Sequence, residues 1–249
     1  MIVDGKQIAG EVLQELEQER RDFGVLSLGI VMSAGDKATE SFVKIKTRVA
    51  QRLGIDVHRF TPGEMPQALL CDGVLVQLPI ENADVLIAAV PPEKDVDALG
   101  PYPVVRSPVA EAVAEILARS GVDTKNKKAV VVGAGRLVGA PAAKLLRELG
   151  ADVTVVTHSQ GSLGLLKTAD IVVCGAGEPG FIKPEMLKQG VVLIDAGTSE
   201  IGGKLAGDAD PACAAVCSVF TPVPGGVGPI AVAMIFKNLF TLAKKNSGH

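Results

Sequence analysis

Residues 128–159, KAVVVGAGRLVGAPAAKLLRELGADVTVVTHS, constrain the fold more than any other stretch of the chain. An unbroken apolar run from Ala129 to Val132 leads into glycines at Gly133, Gly135 and Gly139. Apolar residues at helical spacing follow, then a second apolar run from Asp152 to Val156. That order reads as strand, tight turn, helix, strand. Glycines at the turn let the backbone bend sharply and bring its N–H groups, at a helix N-terminus, against a pyrophosphate. The pattern carries one more residue before its third glycine than the commonest dinucleotide fingerprint, so the turn alone leaves open an α/β connection that binds nothing.

Composition narrows the partners. With 249 residues, 47% hydrophobic and 21% charged, the chain can bury one large core or two modest ones. A formal net charge of -3 offers no basic surface for nucleic acid, and with no Trp and a single Tyr there is little for base stacking. The cysteines, Cys71, Cys174, Cys213 and Cys217, lack paired CxxC spacing, so no metal is expected and they read as small buried thiols in a reducing compartment. No stretch is expected to approach membrane-spanning length, and the N-terminus lacks the apolar core of a signal peptide. The expectation is a cytoplasmic protein with neither nucleic-acid nor membrane partners.

In chain order, a helix with an apolar stripe at Ile8, Val12, Leu13 and Leu16 ends near Gly24. Leu26 to Met32 reads as a buried strand, Lys37 to Leu53 as a helix closed by Gly54, and Asp56 to Phe60 as a strand. Thr61 to Ala68 is Pro-broken. Gly73 to Pro79 is a third strand with polar Gln77 near its C-terminal end, where ligands collect in open α/β sheets. A polar loop at Pro91–Asp97, a helix at Val109–Ala118 and a linker at 121–127 follow, and the domain boundary is placed in that linker. Further strands are expected at Ile171–Cys174, Val191–Ile194 and Val216–Phe220, as βα units building a parallel sheet. The segment Thr221–Pro229, with three glycines and three prolines, reads as irregular, and a last helix runs to about Lys245.

These residues resemble the bifunctional 5,10-methylenetetrahydrofolate dehydrogenase/5,10-methenyltetrahydrofolate cyclohydrolase family. The likeness is carried by Asp4-Gly5-Lys6, Gly73–Pro79, Pro92–Asp97, Val138–Pro141, His158-Ser159, Gly177–Phe181, Ile194–Gly197, Gly203–Asp208 and the loop from Thr221 to Pro229. It implies an α/β protein with an N-terminal α/β folate domain over residues 1–120 and a Rossmann-type parallel-sheet domain over 121–228. A C-terminal helix, 229–247, would pack back on the first domain. It further implies oxidation of 5,10-methylenetetrahydrofolate with NADP, with NAD as the other candidate, hydrolysis of the product to 10-formyltetrahydrofolate, and a homodimer.

By the same resemblance Lys46 falls on the family's active-site lysine, Gln77 on its supporting glutamine and Asp97 on the aspartate that holds the pterin. Phe42, Gly225, Gly226 and Pro229 fall on the folate side. The chemistry agrees, because hydrolysing a cationic methenyl bridge needs a group that takes a proton from water and later returns it to a ring nitrogen, and a desolvated lysine does both. The cofactor-binding set is Gly133, Gly135, Arg136, Leu137, Val138, Gly139, His158, Ser159 and Gly175. Four departures stand out. Phe42 occupies a tyrosine position, Ala134-Gly135 replaces an Arg-Ser pair that would anchor a 2′-phosphate, the helix between the Phe60 strand and Gly73 is expected to be missing, and the loop after Asp97 is shortened and lacks the family's Gly-Phe-His-Pro segment. Phe42 keeps open a dehydrogenase without hydrolase activity, and a non-catalytic binding paralogue is the third reading.

Overall fold

The computed structural model describes residues 1–33, 35, 37–157, 162–202 and 204–246, with Lys37 and Ala38 described through their backbone only. The elements are α1 (Gly5–Glu19), β1 (Ser27–Val31), α2 (Lys37–Arg52), β2 (Asp56–Phe60), α3 (Met65–Ala68), β3 (Gly73–Val76), α4 (Ala83–Ala89) and α5 (Pro108–Arg119). Then come β4 (Lys128–Val132), α6 (Gly139–Glu148), β5 (Asp152–Val156), β6 (Ile171–Cys174), β7 (Val191–Asp195), β8 (Ser199–Ile201), β9 (Lys204–Ala206), β10 (Cys217–Phe220) and α7 (Val227–Asn246). Contacts divide the chain into two compact units, one of residues 1–8 and 109–231 and one of residues 9–108 and 232–249.

The unit of residues 9–108 and 232–249 holds a parallel sheet in the order β2-β1-β3. The central strand β1 is buried along Leu28, Ile30 and Val31 because helices and neighbouring strands cover it, which is why it reads as a continuous apolar run. Chain order steps from β1 to β2 on one side and back to β3 on the other, so the strand order reverses between β1 and β3. From residue 232 onward α7 serves this unit. Phe240 stacks on Phe23 at 5.0 Å, Lys244 pairs with Glu19 at 2.7 Å, and buried Asn238 donates to the carbonyls of Val96 (2.9 Å) and Arg106 (2.8 Å).

In the other unit the parallel sheet runs β10-β7-β6-β4-β5. The order reverses here between β4 and β6, the place where open α/β sheets open a crevice at their carboxyl ends. Its core gathers Val130, Val132, Val156, Leu166, Val172, Cys174 and Leu193. Burial pushes the thiols of Cys213 and Cys217 up to about 11 and about 12, which keeps them protonated and inert. The N-terminus belongs to this unit: the Val3 N–H bonds the Phe220 carbonyl at 2.9 Å and the Gly5 N–H bonds the Gly225 carbonyl at 2.9 Å. Asp4 caps α1, its carboxylate accepting from the N–H groups of Lys6 and Gln7 at 3.0 Å each. A Cβ on Gly5 would lie 1.8 Å from the Gly226 carbonyl oxygen, so no other residue fits.

Four expectations need correction. The stretch after β2 is helical after all, a 3-10 turn at Pro62–Glu64 followed by α3, because Thr61 and Glu64 form a capping box and Pro62 starts the turn. The irregular reading of Thr221–Pro229 extends too far, since α7 begins at Val227 and Pro229 lies in its first turn, where a missing N–H costs nothing. The helix α4 and the β8–β9 hairpin were not anticipated. At 20 residues α7 is also long and apolar enough to span a membrane, contrary to the sequence reading. Its apolar side chains, Ile230, Met234, Phe236, Leu239, Phe240 and Leu242, are fully buried, so their apolarity is spent on the core.

Candidate active site

Helix α2 follows β1, and on it Phe42 and Lys46 are four residues apart and share a face. The residue after β3's last leaves its strand with one backbone tie: the Gln77 N–H bonds the Val31 carbonyl at 2.8 Å, which fixes Gln77 at the reversal between β1 and β3. There the Lys46 ammonium donates to Gln77 Oε1 at 2.5 Å, while Gln77 Nε2 donates to the Leu78 carbonyl at 2.8 Å. The second bond sets the amide so that its oxygen faces the lysine. Gln77 is buried and Lys46 half-buried. Burial lowers the lysine's pKa, and the Asp97 carboxylate opposes the shift.

Asp97 reaches the same place by another route. Residues 94–96 run beside β3, with Val74 N–H to Lys94 carbonyl at 2.7 Å and Val96 N–H to Val74 carbonyl at 3.3 Å. Buried Asp95 then closes the turn, its carboxylate accepting from the N–H of Asp97 (3.2 Å) and of Gly100 (2.7 Å). Burial pushes Asp97 up to about 6, Lys46 pulling it down and Asp95 pushing it further up. Lysine, glutamine and aspartate thus come together in one unit, with Phe42 exposed on the lysine's helix. A lysine whose pKa is lowered by burial, an uncharged acceptor that orients it and a carboxylate within electrostatic reach are the parts an acid–base site needs.

In the other unit the glycine turn joins β4 to α6. Gly133 has φ +100°, and a Cβ there would meet the Gly175 carbonyl oxygen at 2.5 Å, while one on Gly139 would lie 2.0 Å from the Gly133 carbonyl oxygen. Helix α6 starts at Gly139 with no side-chain cap from Val138; the Ala140 N–H bonds the Gly135 carbonyl at 3.0 Å, the Ala142 N–H bonds the Val138 carbonyl at 2.9 Å, and Pro141 carries no N–H. Ala134, Gly135, Arg136 and Leu137 are exposed at the turn, with open space where a Gly135 Cβ would be. A close-packed, uncapped, exposed turn at the strand-order reversal fits a dinucleotide's pyrophosphate. His158 and Ser159 lie outside the described residues.

The loop after β10 is anchored at Thr221, whose hydroxyl accepts from the Asp195 N–H at 2.7 Å, and its Gly226 N–H bonds the Pro222 carbonyl at 2.8 Å. Gly225 and Gly226 thus sit in a braced turn that also receives Gly5, and Pro229 follows in α7.

Sequence reasoning assigned no role to Asp195 and Asp208, both fully buried. The Asp195 carboxylate accepts from the N–H groups of Gly197 (2.9 Å), Asp208 (3.2 Å) and Ala209 (2.8 Å). That of Asp208 accepts from Ala176 (2.6 Å), Gly177 (3.3 Å) and Glu178 (2.7 Å). The available signal was an acid among small residues just after a strand, in Asp195-Ala-Gly and Gly207-Asp208, where a short carboxylate can reach only backbone.

One unit thus carries a Rossmann-type nucleotide turn and the other an acid–base lysine, which defines a nucleotide-dependent α/β enzyme. Residues 107–247 match the tetrahydrofolate dehydrogenase/cyclohydrolase NAD(P)-binding domain. The "Bifunctional protein FolD" of Halothermothrix orenii is 37% identical, covering 95% of each chain. Among solved structures, the FolD methylenetetrahydrofolate dehydrogenase/cyclohydrolase of Campylobacter jejuni superposes with a TM-score of 0.92 at 28% identity, covering 99% of each chain. The Trypanosoma brucei enzyme, complexed with NADP cofactor and an inhibitor, gives 0.91 at 30% identity, covering 100% of this chain and 99% of that one. The chain belongs to the tetrahydrofolate dehydrogenase/cyclohydrolase family.

Proposed function

We propose that this protein oxidises 5,10-methylenetetrahydrofolate to 5,10-methenyltetrahydrofolate with NADP and hydrolyses the product to 10-formyltetrahydrofolate. The observation that carries the reading is the Lys46–Gln77 hydrogen bond on a lysine whose pKa is lowered by burial. Neutral Lys46 takes a proton from water as its oxygen adds to the methenyl carbon. The lysine then returns that proton to the ring nitrogen as the carbon–nitrogen bond breaks, and the hydroxyl of the adduct gives its own proton to solvent as its oxygen becomes the carbonyl of the formyl group on the other nitrogen. Gln77 holds the amine in place without adding a charge that would raise its pKa. Asp97 accepts from the pterin, and Phe42 offers a ring face to it.

NADP, when bound, supplies the acceptor for the hydride that the ring-nitrogen lone pair expels from the methylene carbon. For that step the protein mainly positions: the glycine turn between β4 and α6 holds the pyrophosphate, and Arg136 with Ser159 and His158 takes the 2′-phosphate. Gly225, Gly226 and Pro229 are assigned to the folate side. A homodimeric, cytoplasmic enzyme with neither membrane nor nucleic-acid partners completes the proposal.

A second reading, dehydrogenase alone, is favoured by one observation, the absence of a hydroxyl at Phe42. The test is spectrophotometric, following formation and decay of methenyltetrahydrofolate with NADP or NAD. Formation without enzyme-dependent decay would select the second reading, and absence of both would reject an enzyme.

A further inference from the structure

We infer that Asp208 is a positioning residue for the cofactor: it pre-forms the turn after β6 against the glycine turn and ties that turn, through Asp195, to the loop beginning at Thr221. The inference rests on the nucleotide reading of the glycine turn and adds a residue that does not itself touch the ligand.

Residues 175–178 leave β6 beside β4, on the side where the strand order reverses. The fit between the two turns is tight from both directions, since a Cβ on Gly175 would lie 2.3 Å from Val138 Cγ1 and one on Gly133 would lie 2.5 Å from the Gly175 carbonyl oxygen. Whatever holds residues 175–178 therefore sets one wall of the pyrophosphate turn. Three successive N–H groups, those of Ala176, Gly177 and Glu178, converge on one buried carboxylate, Asp208, from about thirty residues away in sequence. Three amides aimed at an anion make a conformation that a neutral side chain cannot hold equally well.

Asp208 is itself fixed. Its N–H bonds Asp195 Oδ1 at 3.2 Å, and a Cβ on Gly197 would lie 2.3 Å from its Cγ, so its side chain has no second place to go. Asp195 in turn donates its N–H to Thr221 Oγ1 at 2.7 Å. The series Thr221, Asp195, Asp208, Ala176 is an unbroken run of hydrogen bonds from the Pro/Gly loop to the cofactor turn, all inside one unit. Three loops after three different strands are thereby set in one geometry before any ligand arrives, which lowers the ordering cost of binding.

The test is Asp208→Asn, which keeps the shape and removes the charge. NADPH binding is followed by its fluorescence, and the dehydrogenase is assayed with NADP. The expected result is a dissociation constant raised about tenfold to a hundredfold, with the NADP KM rising in step and kcat at saturating nucleotide falling less than about threefold. An unchanged dissociation constant, or a loss confined to kcat, would overturn the inference. Wild-type protein that fails to bind NADPH would instead overturn the nucleotide reading beneath it. Hydrogen exchange on the wild type decides the matter should the variant not fold. The amides of Ala176 and Glu178 should already exchange slowly without nucleotide, and fast exchange that only NADPH suppresses would overturn the inference.

Discussion

Lys46 Nζ donates a hydrogen bond to Gln77 Oε1 at 2.5 Å, and the acceptor is an amide, not a carboxylate. A carboxylate there would hold the ammonium charged. An amide orients the nitrogen and leaves burial free to favour the neutral amine that a general base requires.

Lys46→Met should therefore abolish hydrolysis, by about a hundredfold or more, while hydride transfer remains measurable, since only hydrolysis needs a proton carrier. Stability carries a sign as well. The folded pKa lies below the unfolded 10.5, so the cost of burying the ammonium is fully present below the folded value and is relieved as pH rises through the window up to 10.5. Urea titrations should show wild type gaining on the methionine variant across that window. Equal loss of both activities would show that Lys46 serves binding, not proton transfer.

Asp97→Asn should move the acid limb of the hydrolysis pH profile to lower pH, because the carboxylate is what holds the Lys46 pKa up against burial. The folate KM should rise about tenfold as one charge-assisted contact is lost. For stability the sign is opposite to that of an ordinary ion-paired acid. With a folded pKa raised from 3.8 to about 6, ionised Asp97 costs stability above pH 6, and that cost fades as pH falls through 6 towards 3.8. The asparagine variant should accordingly be the more stable of the two at pH 8, and less so at pH 5. An unshifted acid limb would mean that the two groups do not sense each other.

Phe42 lies one turn before Lys46 with its ring exposed. Phe42→Tyr places a hydroxyl on the lysine's face of α2 and should raise the ratio of hydrolase to dehydrogenase activity. An unchanged or lower ratio would show that the missing hydroxyl does not limit hydrolysis.

On the proposed reading cofactor preference rests on Arg136, exposed at the glycine turn. A charge-assisted contact to the 2′-phosphate is worth roughly 1.5 to 3 kcal/mol, about tenfold to a hundredfold in kcat/KM for NADP over NAD. Arg136→Ala should erase most of that preference. A ratio identical in wild type and variant would falsify the assignment.

Ile171–Cys174 was legible because burial on both faces writes it as a short apolar run, while Asp56–Phe60 and Asp152–Val156, only partly buried, were legible from their β-branched and aromatic residues between turn signals, and all three have the bounds that the pattern predicts. Helix α4 was hidden by its size, seven residues between Pro79 and Pro91, entered through Asn82 at φ 54°. The β8–β9 hairpin hides for the opposite reason: its strands are largely exposed, so neither burial nor alternation marks them. In the site, Gln77 was marked by its place at the carboxyl end of a strand and given its role by family likeness, whereas Lys46 came from family likeness alone, because a lysine between Lys44 and Arg48 on a helix looks like solvated surface. Asp95 gave no signal, and the small residues around Asp208 mark a backbone-serving acid without saying which N–H groups it serves, since that depends on where remote turns pass.

The pairing of the first three residues with β10 sets the order in which the chain can complete itself. Ile2 bridges Phe220, and the Met1 ammonium bonds the Ser218 carbonyl, 217 positions along the chain. On a ribosome the opening residues emerge first, yet their partners are made only after some two hundred further residues. Closing so long a loop is entropically slow, so this seam belongs among the last contacts to form. Because Gly5 ends that seam against Gly225 and Gly226, the loop assigned to folate is braced only once the two distant segments have met.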